Sequence, residues 1–67
     1  MFTLNKYKIR HAMAAKKMTA AELARRADLP ATAFDNLEYG SPMKFRDFEP
    51  ILKIAKVLNV EPFEMLA

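Results

Sequence analysis

The sequence predicts an all-α fold, one small domain of five short helices spanning residues 1–67. Three observations point there. Apolar residues recur at one-face helical spacing in two stretches, around Ile9, Ala12 and Met13 and again from Ile51 to Leu58. Thr19-Ala20-Ala21-Glu22 has the form of a capping box, a well-specified helix start. Pro30, Pro50 and Pro62 stand where helices can begin, and Gly40, the only glycine, stands where one can end.

Taken in order, a first helix is expected over residues 6–17, with Asn5 as its N-cap. A second, over 20–27, opens at Thr19, and its residues Ala20, Ala21, Ala24 and Ala27 let another helix cross at close range. Asp28-Leu29-Pro30 interrupts the pattern, because a residue before proline is pushed out of helical geometry. A third helix is expected over 30–38, with Phe34 and Leu37 turned inward and Gly40 as the left-handed cap. Residues 41–46 read as loop. A fourth helix runs over 47–58, bounded by Asp47 because the Pro50 ring would clash with a helical Arg46 carbonyl. Asn59 suits a left-handed exit, and Pro62 opens a last short helix carrying Phe63, Met65 and Leu66. No strand is expected.

Composition narrows function. With 52% hydrophobic and 28% charged residues the chain should fold, but 67 residues leave little room for a pocket enzyme. The absence of cysteine excludes disulfides, thiolate zinc sites and cysteine nucleophiles. Nothing calls for an oxidising compartment, so the cytoplasm is the expected location. His11, the single histidine, cannot alone build a metal site or a catalytic relay; no cofactor and no catalysis are expected. No apolar run approaches the roughly 20 residues a membrane span needs, and Met1-Phe2-Thr3-Leu4-Asn5-Lys6 lacks a leader's hydrophobic region. The net charge of +3 is uneven: residues 1–30 hold seven basic against two acidic groups, residues 31–67 four against six. One end of the chain suits an anion.

Two short helices three or four residues apart, 20–27 and 30–38, have the lengths and spacing of a helix-turn-helix rather than an up-down bundle. Leu23, Ala24, Ala27, Leu29, Phe34 and Leu37 then point inward, with Ala24 at the crossing. The sequence here resembles the phage repressor and Cro type of regulators, which share a lambda-repressor-like five-helix fold. The resemblance lies in Ile9-Arg10, in Thr19-Ala20-Ala21-Glu22-Leu23-Ala24, in Leu37-Glu38-Tyr39-Gly40 and in Leu52-Lys53-Ile54-Ala55-Lys56-Val57-Leu58-Asn59-Val60. It extends over residues 6–66.

The resemblance implies a binder of double-stranded DNA, acting as a homodimer, whose recognition helix 30–38 enters the major groove while 20–27 crosses the backbone. Pro30, Ala31, Thr32, Asp35 and Asn36 would face base edges; Arg10, Thr19, Ala20, Lys44 and Arg46 would face phosphate. Chemically, Asn36 can bond adenine at two atoms, Thr32 can serve several bases and Ala31 can touch a thymine methyl, whereas Asp35 suits only a cytosine amino group. Four positions depart from the family pattern: Ala20 stands for the usual glutamine, Asp28 for the turn glycine and Pro30 for a serine-like cap, and residues 40–46 are about two residues longer. Arg10 and Glu38 form either a bridge between two helices or two separate surface charges. Met43 and Phe45 are candidate dimer contacts, and Phe45 alternatively closes the monomer core. A protein-interaction module on the same fold, with a protein partner in place of DNA, is the competing reading, favoured by Ala20, Ala31 and Asp35.

Overall fold

The computed structural model describes residues 1–34, 37 and 43–67. In chain order it contains β1 (Phe2–Thr3), α1 (Lys6–Ala15), α2 (Ala20–Arg26), a 3-10 turn (Ala31–Phe34), β2 (Lys44–Phe45), α3 (Glu49–Leu58) and a second 3-10 turn (Pro62–Met65). The fold is mostly helical, as expected, but with two differences. Among the described residues three of the five expected helices are α-helices; of the expected helix 30–38 the described part is the 3-10 turn Ala31–Phe34, and the last expected helix is the 3-10 turn Pro62–Met65. A strand pair is present where none was expected: β1 and β2 are antiparallel, Phe2 opposite Phe45 and Thr3 opposite Lys44.

The ribbon is a long-range structure. Residues 2–5 run between residues 43–45 on one side and the chain end on the other. The Leu4 N–H donates to the Met43 carbonyl (2.8 Å), that of Asn5 to Met65 (2.7 Å), and that of Ala67 to Thr3 (2.9 Å). Two-residue strands are too short to display a period of two, and a pairing of this kind has no local signal.

Each α-helix starts and stops for a stated reason. At α1 the Asn5 Oδ1 accepts from the Tyr7 and Lys8 amides at 3.0 and 3.3 Å. At α2 the Thr19 hydroxyl oxygen accepts from the Glu22 amide at 3.1 Å. Only this half of the expected capping box forms, because the Glu22 carboxylate turns to Arg26 at 2.9 Å, with Arg25 at 4.0 Å. At α3 the expected cap, Asp47, lies one residue outside; Phe48 holds the N-cap position without a side-chain bond, and Pro50 sits in the first turn, where no amide hydrogen is needed. Phe48 is tied instead through its ring, 5.1 Å from that of Phe2 and 5.6 Å from that of Phe63.

The three α-helices among the described residues end in one way. Lys17, Asp28 and Asn59 have φ of 52°, 58° and 58°. After each of them the next amide reaches back over the last turn: Met18 to the Met13 carbonyl (3.0 Å), Leu29 to Ala24 (2.8 Å) and Val60 to Ala55 (3.0 Å). Companion bonds run from Lys17 to Ala14, Asp28 to Arg25 and Asn59 to Lys56, completing three Schellman motifs. Asp28 and Asn59 adopt the left-handed geometry expected of them; Lys17 adopts it without any preference for it.

The core joins every element. Ile9, Leu23, Ala24, Ile51 and Ile54 are fully buried, and Met13, Phe34, Leu37, Met43, Leu58 and Met65 nearly so. Ala24 sits without exposed surface where α2 meets the 3-10 turn, as a crossing residue must, and Leu29 is half-buried beside it. Among the described residues no polar or charged side chain is buried, so each large apolar residue here contributes roughly 1.5–3 kcal/mol without a desolvation penalty to offset.

Candidate nucleic-acid interface

The Schellman turn at Asp28 fixes where the chain goes next. It delivers Leu29 into the core edge and leaves Pro30, Ala31 and Thr32 exposed at the start of the segment expected to read bases. That segment begins as a 3-10 turn rather than an α-helix: the Ala33 N–H donates to the Pro30 carbonyl (2.9 Å), and that of Leu37 to Phe34 (3.0 Å). With proline ahead of it and no side-chain cap, four residues of Ala-Thr-Ala-Phe have little local reason to settle into the wider helix. Asp35 and Asn36, two of the five expected base-facing residues, lie outside the described residues, as do Glu38 of the expected bridge to Arg10 and the Gly40 cap.

Of the expected phosphate-facing residues, Thr19 is exposed and Ala20 half-buried at the start of α2. Thr19's hydroxyl oxygen is engaged in capping. Lys44 and Arg46 are exposed on and just after β2, and among the described residues no carboxylate pairs with either. Arg10 is exposed on α1, its guanidinium 5.9 Å from the centre of the Tyr7 ring. The described parts thus supply exposed cations on α1 and at β2 and a small, uncharged exposed surface at Pro30, Ala31 and Thr32. On α2, Arg25 and Arg26 are partly neutralised by Glu22. Such a surface can attract phosphates, accommodate the close approach of a groove and touch thymine methyls, with Thr32 as its one polar reader.

The candidate dimer contacts separate. Met43 is corrected: only 4% exposed, with its carbonyl bonded to Leu4, it belongs to its own chain's core and offers a partner almost nothing. The cause is the unexpected ribbon, which draws residues 43–45 inward against residues 2–4. Phe45 is half-buried and packs on the core, leaving part of its ring outside.

Of two exposed aromatics, the sequence reading passed over Tyr7 and placed Phe63 on the last helix without fixing its face. Tyr7 is 79% exposed and Phe63 74%. Tyr7 was legible, since it stands two residues before Ile9 and therefore off the Ile9–Met13 stripe. Phe63 was not, because in so short a segment as Pro62–Met65 the inward position goes to Met65 by tertiary fit rather than by period.

Against known proteins, the family model of the Cro/C1-type HTH DNA-binding domain matches residues 8–67. No curated protein and no solved structure shows a significant match. Among the described residues no helix is long and apolar enough to cross a membrane.

Proposed function

The chain belongs to the Cro/C1-type helix-turn-helix DNA-binding family, and from that premise we propose that it is a sequence-specific transcription regulator of phage or mobile-element type. Residues 1–67 act as one helix-turn-helix unit in the cytoplasm. The segment from Pro30 to Glu38 lies in the major groove and α2 crosses the backbone. Pro30, Ala31, Thr32, Asp35 and Asn36 face bases; Arg10, Thr19, Ala20, Lys44 and Arg46 face phosphates. The observation that carries this reading is the exposure of Ala31 and Thr32 immediately beyond the left-handed turn at Asp28, on a segment held to α2 across the buried Ala24.

So short a reading surface offers few base contacts, which is why the protein works as a homodimer on paired half-sites, with the exposed part of Phe45 among its pairing contacts. Selection of bound duplexes from a random pool tests the proposal. Enrichment of a sequence with two related half-sites is the expected result, and a pool that stays random after repeated rounds overturns it.

A second reading has a specific observation in its favour. Ala20 and Ala31 bring no hydrogen-bonding group to a surface where the family commonly has one, which suits an apolar protein partner on the same face. Salt separates the two: binding driven by phosphate contacts weakens steeply as salt rises, and binding to an apolar protein surface does not.

A further inference from the structure

The solvent face of α1 is grooved. Tyr7 and His11, one helical turn apart, form a ridge with an open groove along each side. One groove, of about 680 Å³, descends to Ala12, Leu58, Val60 and Met65. The other, of about 460 Å³, descends to Met13, Ala14, Met18 and Leu37. The rims carry Lys8 on one side and Arg10 on the other, and α1 has no acidic residue anywhere along it. Lys8 stands in the first turn, where the helix dipole favours an acid, so helix stability gives no reason for the placement.

We propose that this face docks an acidic amphipathic helix of another protein. A ridge between two grooves is the shape a second helix packs against, and apolar floors call for apolar side chains to fill them. The rims then call for carboxylates on the partner's flanks, with Glu64, on the far wall of the larger groove, facing a partner cation. A second copy of α1 is the wrong occupant, since it would set Lys8 and Arg10 against their own equivalents. A phosphate backbone meets the charges but leaves both apolar floors unfilled. The face shares only Arg10, at its margin, with the residues assigned to DNA, so the groove residues away from Arg10 tell the two surfaces apart.

The test uses the full chain, isotopically labelled, and three probes. These are a synthetic amphipathic peptide with leucines at i, i+3, i+4 and i+7 and glutamates on its flanks, the same peptide with lysines for glutamates, and a short mixed-sequence DNA duplex. The acidic peptide is expected to shift the amide signals of Tyr7, Lys8, His11 and Val60 and to bind about tenfold or more tightly than the lysine peptide. Replacing the ridge by Tyr7→Ser with His11→Ser is expected to weaken it about tenfold, with melting temperature and duplex affinity unchanged. Should that double variant unfold, Lys8→Glu carries the test: it narrows or reverses the preference between the two peptides. Equal binding of both peptides, binding of neither, or shifts centred on Thr32 and Lys44 overturns the proposal. Duplex shifts of Lys8, Ala12 and Val60, in the groove away from Arg10, do so as well, making the face a nucleic-acid surface.

Discussion

At the scale of single residues, the most exposed weakness of the fold is Lys17. It holds φ of 52° with no side-chain feature that favours it, whereas Asp28 and Asn59 are residue types that tolerate the same geometry. Lys17→Gly is therefore expected to stabilise the protein by about 1 kcal/mol, a rise in melting temperature of roughly 4–8 °C for a domain of this size. A thermal melt showing no rise would mean that the Schellman turn after α1 is absent in solution. Ala24 makes the opposite case. Its side chain has no exposed surface at the point where α2 meets the following turn, so any added volume pushes the two apart. Ala24→Leu is expected to destabilise by about 1–3 kcal/mol, and wild-type-like melting would remove Ala24 from the crossing. Both positions show what sequence can convey: Ala24, Asp28 and Asn59 announce themselves by residue type, while Lys17 owes its conformation to the need of Met18 to reach back into the core.

At the scale of elements, the α-helices were legible because their signals are local. Asn5 and Thr19 cap with their own side chains, and the Ile51–Leu58 stripe repeats often enough to fix its buried face. The β1–β2 ribbon and the burial of Met43 were not, since they depend on residues 2–4 meeting residues 43–45 across most of the chain. The segment after Asp28 stands between these cases. Its start after Asp28 and the inward Phe34 and Leu37 follow from sequence, but its 3-10 opening reflects the lack of a cap at Pro30. For function, Asn36→Ala is expected to relax base preference, whereas Lys44→Ala or Arg46→Ala weakens binding to all duplexes alike and lowers the salt slope by about one unit. Quantitative duplex titrations read both effects, and an Asn36→Ala protein as selective as its parent would cancel that residue's reading role. Phe45 joins the ribbon to the pairing proposal. Because it is packed on the core yet half-exposed, Phe45→Ser is expected to lower the melting temperature and also to weaken binding to a duplex with two half-sites. A loss of stability with two-site binding unchanged would take Phe45 out of the pairing surface.

At the scale of the whole molecule, two faces divide the chemistry. One is the face proposed for DNA: the exposed Pro30, Ala31 and Thr32 after Asp28, with Lys44 and Arg46 proposed as phosphate contacts. The other is the Tyr7–His11 ridge of α1, with its grooves and the basic Lys8 and Arg10 on their rims. Positive charge is thus spread over both faces: Lys8 and Arg10, from the basic first 30 residues, lie on the second, and Lys44 and Arg46, from the half with an acidic excess, are assigned to the first. That spreading was not legible, because a sum of charges carries no direction until the helices are packed. The central claim concerns the first face, and one measurement tests it most directly: fluorescence anisotropy of a duplex selected by the protein and of a scrambled duplex, each titrated at several salt concentrations. The account predicts that the selected duplex binds at least about a thousandfold more tightly than the scrambled one, and that both affinities fall steeply and log-linearly with salt. Equal affinity for the two duplexes, or binding indifferent to salt, would contradict it.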